Sequence, residues 1–347
     1  MTAAVAGSHN SNSKLSTLSA VPPLVKLLRE LANLPSELRG GAVAIGNFDG
    51  VHLGHARIVD RVIEKARDLG GAALVFTFDP HPVRLLRPAH APPPLTWTDR
   101  KARLLADLGI DAVIAYPTDE QLLALSAEAF FDQIVRQQLD ARAMVEGPNF
   151  FFGHNRSGTI DVLRQLTKEA GISLDVVEPL VVDGDYVSSS RIRRLIAEGQ
   201  VDQARHMLTQ PFRIRGLVVH GAGRGAKLGF GTANLDAIDT LIPGPGVYAG
   251  SGIVGNRRFA AAINIGPNPT FGEGAMKVEV HLVGWNGSPL YGQVVEVDFL
   301  RKLRDIQRFA DVTALVSQLQ KDVAAAQRAF QDFELTDKLS GGGQPLV

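Results

Sequence analysis

The chain has 347 residues, enough for two domains with separate cores, and its 36 Lys plus Arg balance 36 Asp plus Glu at a formal net charge of +0. With 45% hydrophobic residues it has the make-up of a soluble globular protein, and the charge balance gives no electrostatic case for a nucleic-acid partner. The absence of cysteine excludes disulfides and thiolate catalysis and fits a reducing, cytoplasmic setting; no apolar run approaches the ~20 residues that span a membrane.

Residues 1–40 read as an N-terminal extension. Its first 20 residues are small and polar, lack the apolar centre of a signal peptide, and are expected to be disordered. Strands are expected at 42–45, 72–78, 112–116, 143–146 and 174–179, with amphipathic helices at 56–69, 100–108 and 127–139 between them. Strand and helix in alternation over 41–197 predict a Rossmann-like α/β domain with a parallel, doubly wound sheet. A helical stretch at 189–208 joins the two halves, its second part falling in a connecting helix or linker at 198–210. Beyond Pro211 glycine becomes dense and strands follow one another at 212–220, 247–254, 257–265, 277–285 and 293–300. That pattern predicts a small antiparallel β-barrel at 211–335, closed by a helix at 311–333 and followed by a flexible tail at 336–347.

The string GAVAIGNFDGVHLGH (41–55) runs from an apolar strand through a glycine-rich turn into a helix start. A helix's first turn leaves N–H groups unpaired at the positive end of its dipole and so accepts anions, and Gly46, Gly50 and Gly54 let the backbone approach them. His52 and His55 share one face of that turn, where they could donate to phosphate oxygens, ligate a metal or sit at the surface. Zinc is disfavoured, because cysteine is absent and no HExxH pattern occurs. FDPHP (78–82) ends a strand in a rigid turn that either lines a cleft or closes a loop. GPNFFFGHNRSG (147–158) places Asn149 and Arg156 beyond a strand's carboxyl end, where open parallel sheets bind ligands. Strand alternation there puts Phe150 and Phe152 on one side and Phe151 on the other. Ser188, Ser189 and Ser190 precede Arg191, Arg193 and Arg194 at a helix start. The serines are ordinary caps, whereas arginines in a first turn oppose the dipole unless an anion lies nearby.

In the second half, GAGRGAKLGFGTANLD (221–236) combines a glycine-rich loop with cations, and it is either a flexible hairpin or a phosphate-covering loop; it lacks the Gly-Lys-Ser/Thr step of a Walker A motif. Thr232 and Asn234 face one way in an extended segment and could hold a magnesium ion through oxygen. Glu279 lies on the polar side of an alternating strand, which is either solvated or the lining of a ligand mouth.

The first string, with Gly46, Phe48, Asp49, His52, Gly54 and His55 in register, resembles the GxFDxxHxGH signature of HIGH-type adenylyltransferases. VSSSRIR (187–193) resembles their VSSTRIR signature, with Ser190 for threonine. GTAN, Glu279-Val280-His281-Leu282 and Leu303-Arg304-Asp305 resemble the PTAN motif, the EVHL-like strand and the LRD segment of riboflavin kinases. In this order, over 41–330, they resemble the bacterial bifunctional riboflavin kinase/FAD synthetase family.

The resemblance implies an α/β nucleotidyltransferase domain followed by a riboflavin kinase barrel with a C-terminal helix. It implies phosphorylation of riboflavin to FMN by ATP, then adenylylation of FMN to FAD by a second ATP with release of diphosphate, Mg²⁺ accompanying the nucleotide. Gly46, Asn47, Phe48, Asp49, Gly54, Ser189 and Ser190 would hold ATP, while His52, His55 and Arg191 stabilise charge at the α-phosphorus. Asn149 and Arg156 would position nucleotide or flavin. In the kinase half Gly221, Gly223, Arg224, Lys227, Thr232 and Asn234 would hold ATP. Thr232 and Asn234 would also carry Mg²⁺, Glu279 would be the catalytic base, and Arg304 and Phe309 would bind flavin.

Two alternatives stand beside this reading. One is an FMN adenylyltransferase whose barrel only binds flavin as a regulatory module; the other is an adenylyltransferase for a different phosphorylated metabolite such as phosphopantetheine or nicotinate mononucleotide. Gly231 motivates the first, since it stands where riboflavin kinases have proline and should loosen the loop that presents Thr232 and Asn234. The kinase-like second half counts against the other.

Overall fold

Apolar segments of the first half assemble into a parallel sheet in a computed structural model that describes residues 26–268 and 273–339. The expected disorder of the first 20 residues and the tail beyond 339 lie outside the described residues. The strands are β1 (Lys26–Leu28), β2 (Ala42–Ile45), β3 (Ala73–Asp79), β4 (Ala112–Pro117), β5 (Ala143–Glu146) and β6 (Ser173–Val176), in spatial order β1-β4-β3-β2-β5-β6. Every pairing is parallel. Central strands of such a sheet are covered on both faces and therefore read as unbroken apolar runs; Ala42, Val43 and Ala44 are wholly buried. One face packs on Val59, Val62 and Ala66 of the helix Leu53–Leu69 and on Leu105 of the helix Thr98–Asp107. The other packs on Phe130, Ile134 and on Leu163 of the helix Ile160–Ala170.

The sheet domain begins before residue 41. β1 pairs with β4 at one edge, and Leu31 and Leu38 are buried, so residues 26–40 belong to this domain rather than to an extension. A three-residue edge strand is too short to show a period. A small ribbon, β7 (Val181–Val182) with β8 (Asp185–Tyr186), precedes the stretch expected as one helix at 189–208. That stretch is two helices, Ser189–Ala197 and Val201–Arg205, separated where Gly199 takes φ +77°; a Cβ there would lie 2.7 Å from the Tyr248 hydroxyl.

The second half forms β9 (Arg213–Val219), β10 (Ala233–Asp236), β11 (Gly246–Val254), β12 (Arg257–Asn268), β13 (Glu273–Leu282) and β14 (Val294–Arg304). They close into a barrel in the order β10-β13-β12-β11-β14-β9. All neighbours run antiparallel. The helix Val312–Leu339 lays Ala326 and Ala329 against Ala249 of the barrel wall. Ile192, Leu195 and Ile196 of the connecting helix share one apolar cluster with Ile214, Tyr248, Ile263 and Val297 of the barrel, so the two halves have no solvated linker between them.

Charged contacts reinforce this junction. Arg213 of β9 forks onto the wholly buried Asp298 of β14, which also accepts from the Ser251 hydroxyl at 3.0 Å, and Arg100 from the sheet domain donates to the Pro211 carbonyl at 3.1 Å. Burial works against the ionised form of Asp298, but Arg213 and Arg100 hold its carboxyl below the usual range.

Candidate active sites

The strand order reverses between β2 and β5, and the loops that follow these strands emerge side by side at the carboxyl edge of the sheet, where open α/β sheets bind ligands. The loop after β2 is the 46–55 signature. It holds two non-glycine residues at positive φ, Phe48 at +46° and the β-branched Val51 at +38°, a conformation that persists only where surrounding contacts enforce it. Gly54 is needed for close approach, because a Cβ there would sit 3.1 Å from the His52 ring.

His52 is the N-cap of the helix Leu53–Leu69. Its Nδ1 accepts the His55 N–H at 3.3 Å, the His55 Nδ1 accepts the His52 N–H at 3.3 Å, and the two rings stack with centroids 3.6 Å apart. An Nδ1 that accepts a backbone N–H carries no proton, so each neutral ring bears its proton on Nε2 and keeps a donor for a ligand. Burial pushes the His52 pKa down to about 4, with Asp49 opposing and Arg193 adding. His55 lies well below its ordinary value through burial, then His52, then Lys101. Both imidazoles are therefore neutral donors at neutral pH, and their Nδ1 atoms are already occupied by the cap.

Asp49 is turned into the protein. Its carboxylate accepts from the Leu95 and Thr96 N–H groups at 3.0 Å, from the Thr96 hydroxyl at 3.1 Å and from Arg193. This corrects the expectation that Asp49 contacts phosphate: a carboxylate already saturated by donors fastens the loop, and facing an anion would be repulsive. Arg191, the arginine expected to act, donates to the Val182 and Asp185 carbonyls at 2.9 Å each, so its contacts go to the β7–β8 ribbon. Arg193 reaches the signature instead. Ser188 caps the helix Ser189–Ala197, Ser189 donates to the Asp49 carbonyl at 2.9 Å and so joins the two motifs, and Ser190 is exposed on the first turn.

Asn149 is exposed on the loop after β5, and Arg156 lies over the Phe151 ring, 4.3 Å from its centroid. Phe150 and Phe152 stack on each other in the core while Phe151 is 43% exposed, as the alternation predicts. Asp79 of FDPHP bonds Arg29 and Thr98, and the His81 Nδ1 accepts the Val83 N–H at 3.1 Å, which favours loop closure for that motif.

Two residues at this edge escaped sequence reasoning. Lys101, only 7% exposed, donates from its ammonium to the Thr77 hydroxyl at 3.2 Å, which donates to the Asn47 carbonyl at 3.1 Å; burial pushes its pKa down against the pull of Asp49 and Asp79. Nearby, the Asn47 side-chain oxygen is buried with no hydrogen-bond partner among the described residues. Glu146 at the end of β5 accepts the Ile45 N–H at 2.8 Å, and burial pushes its carboxyl well above the ordinary range, with that bond opposing. Nothing in the apolar strand AMVE distinguishes this glutamate from a solvent-facing one.

Because its folded pKa is raised, Glu146 contributes fully below the unfolded value of about 4.3, and that contribution is lost as pH rises through the folded value. Glu146→Gln removes the titration. Its melting temperature relative to the wild-type chain is expected to climb between pH 4 and pH 8; an offset independent of pH in thermal melts would contradict the assignment.

The second grouping lies in the barrel. A cavity of about 520 Å³ is lined by Gly221, Gly223, Arg224, Thr232, Asn234 and Glu279, with Arg304 and Phe309 at another wall; Lys227 is not among the lining residues. Asn234 of β10 and Asn264 of β12 flank Glu279 of β13 in register. Gly221 admits Asn234, whose amide nitrogen would lie 2.2 Å from a Cβ at that position. Arg304 is committed to Asp322 of the last helix, at 2.8 to 3.2 Å, and its guanidinium lies 5.6 Å from the Phe309 ring centroid. It thus shapes the wall with its partner rather than offering an unpaired charge to flavin.

Gly231 is steadied from outside its own backbone. Its carbonyl accepts from the His281 Nδ1 at 2.8 Å, and the Phe230 ring packs edge-on to His281 at 5.7 Å. His281→Ala is expected to raise the ATP KM of the barrel's reaction about fivefold, the equivalent of about 1 kcal/mol for one lost hydrogen bond. Steady-state kinetics with ATP varied would show it, and an unchanged KM would exclude the anchoring role.

For a divalent cation the barrel offers the Thr232 hydroxyl and the Asn234 amide oxygen, hard oxygen donors of the kind magnesium takes. Among the described residues no group of three or more His, Cys, Asp or Glu could hold a metal by itself. The donor set therefore fits an ion whose remaining ligands come from nucleotide phosphate and water.

A histidine-capped helix start at a sheet's switch point, joined to a barrel cavity lined by a carboxylate and a glycine-rich loop, has the layout of a two-domain nucleotide-dependent transferase. The FAD synthetase family model matches residues 34–191 and the riboflavin kinase model matches 208–330. The chain is 37% identical over 304 residues to the bifunctional riboflavin kinase/FMN adenylyltransferase of Pseudomonas fluorescens, covering 87% of this chain and 97% of that one. With the same-named enzyme of Escherichia coli strain K12 it shares 33% identity over 308 residues, 88% of this chain and 98% of the relative. A crystal structure described as a macrolide-efflux protein from Streptococcus pneumoniae superposes with a TM-score of 0.76 at 27% identity, over 87% of this chain and 98% of that one. The chain belongs to the bifunctional riboflavin kinase/FMN adenylyltransferase family.

Proposed function

We propose that the chain phosphorylates riboflavin to FMN with ATP in the barrel and adenylylates FMN to FAD with a second ATP at the carboxyl edge of the sheet. The observation that carries this reading is the barrel cavity, which gathers Glu279, Thr232, Asn234 and the 221–225 loop in a domain separate from the stacked histidines. A barrel that only bound flavin would have no need for a carboxylate between two asparagines beside a phosphate-covering loop.

In the barrel, Glu279 accepts the proton of the riboflavin 5′-hydroxyl as that oxygen bonds to the γ-phosphorus and ADP leaves. The glycine loop and Arg224 cover the phosphates. Thr232 and Asn234 would hold a Mg²⁺ brought with the nucleotide, and it would supply neutralisation of phosphate charge. At the sheet edge the FMN phosphate is already anionic and needs no base; it attacks the α-phosphorus and diphosphate leaves. Catalysis there is alignment plus stabilisation of developing charge, and the Nε2–H groups of His52 and His55 with the Gly54 N–H of the first turn supply it. The buried Lys101 ammonium adds positive potential from beneath, and Asn149, Phe151 and Arg156 are placed to position flavin or nucleotide.

Among the described residues no helix is long and apolar enough to cross a membrane. Access to ATP and the cysteine-free sequence favour the cytoplasm as the working compartment. Incubation with riboflavin, ATP and Mg²⁺, followed by chromatography of the flavins, is expected to show FMN and then FAD. Formation of FAD from supplied FMN with no FMN formed from riboflavin would overturn the two-reaction reading in favour of a barrel that only binds flavin.

A further inference from the structure

The adenylyl-transfer loop is held from outside the segment that matches the FAD synthetase model, which ends at residue 191. Residues 207–209 run antiparallel alongside the loop, with Leu208 bridged to His52. The Met207 carbonyl accepts the Leu53 N–H at 2.9 Å, one of the first-turn donors that a helix cannot satisfy itself. The Thr209 hydroxyl donates to the Val51 carbonyl at 2.7 Å. Leu208 lies 3.6 Å from the position a Cβ would take on Gly50.

These contacts fall where the loop is strained. Val51 is wholly buried and β-branched, yet takes φ +38°, and the residue after it is the capping histidine. A valine at positive φ relaxes unless its neighbours over-determine it. Its own loop gives it one backbone hydrogen bond, from the Val51 N–H to the Phe48 carbonyl at 3.3 Å, and its side chain packs with Phe48 in the core of the sheet domain. The 207–209 segment binds the carbonyl of Val51, bridges His52 and binds the N–H of Leu53. It also carries Met207 and Leu208 into the apolar cluster of the barrel, which fixes it in turn.

We propose that Thr209 is a positioning residue for FMN adenylylation: through the Val51 carbonyl it sets the orientation of the His52–His55 cap, although it lies in the stretch matching the riboflavin kinase model. The transfer site is thereby completed by the other half of the chain. The inference rests on adenylyl transfer at the 46–55 loop.

The test uses the full-length chain with separate assays of FMN to FAD and of riboflavin to FMN. Thr209→Val keeps the side-chain shape and removes the donor, leaving the Val51 carbonyl unpaired. It is expected to lower kcat for adenylylation about tenfold, since small misplacements of aligned groups are costly, with the KM values for ATP and FMN within about twofold and riboflavin phosphorylation unchanged. Thr209→Ser restores the hydroxyl and is expected to recover most of the rate. Unchanged adenylylation in Thr209→Val, an equal loss of both activities, or failure of Thr209→Ser to recover would each overturn the proposal. If the wild-type chain itself made no FAD from FMN, the function assigned to the loop would fail instead, so the two failures are distinct.

Discussion

Glu279→Gln is expected to lower riboflavin phosphorylation by about 10²- to 10⁴-fold while FMN adenylylation proceeds at the wild-type rate, the size of effect attached to a positioned general base. The amide has the shape of the carboxylate and preserves the register between Asn234 and Asn264, so the barrel wall is retained. What it lacks is basicity. An alcohol is a poor nucleophile until its proton is taken, and the amide cannot take it. Adenylylation is untouched because its nucleophile is already an anion and its site lies at the edge of the other sheet. Measuring FMN formed from riboflavin and FAD formed from supplied FMN on one preparation checks both halves of the expectation. Equal loss of the two activities would contradict two separate sites.

His52→Asn is expected to do the converse, lowering adenylylation about 10²- to 10³-fold, the cost of removing one donor to a developing oxyanion. The substitution separates two duties of the residue. Asparagine is among the best N-caps, so the side-chain oxygen continues to accept the His55 N–H and the helix Leu53–Leu69 keeps its start. The Nε2–H donor is lost. A melting temperature close to wild type, with riboflavin phosphorylation intact, identifies the loss as catalytic. His52→Ala removes the cap as well and is expected to cost a further ~1 kcal/mol of stability. Full adenylylation in His52→Asn would reduce His52 to a structural cap.

Much of this architecture is legible from residue patterns. The buried parallel strands Ala42–Ile45 and Ala143–Glu146 are visible because burial on both faces demands continuous apolar runs, and the amphipathic helices show their stripe. The signature at 46–55 and the pair Thr232 and Asn234 are also legible as residue types at fixed spacing, whereas the grouping of that pair with Glu279 is implied by the resemblance to riboflavin kinases rather than by any local spacing. Short elements are not legible. The edge strand Lys26–Leu28 and the four-residue Ala233–Asp236 carry too few residues for a period, and only pairing with distant strands makes them strands.

Side-chain direction escapes the sequence in the same way. Nothing in VSSSRIR says that Arg191 turns to the ribbon carbonyls while Arg193 reaches Asp49, because the choice depends on what the fold packs opposite each face of the helix. Lys101 and Glu146 read as ordinary members of a helix and a strand, and burial alone makes them unusual. By itself the sequence determined the chemistry available at each site, because that chemistry is local and written in residue type. Only the tertiary structure decided the partners: a saturated Asp49, paired neutral imidazoles, and a histidine cap steadied by Thr209 from the other half of the chain. Hydrogen bonds and desolvation depend on atoms brought together across long stretches of chain, and no local spacing encodes them.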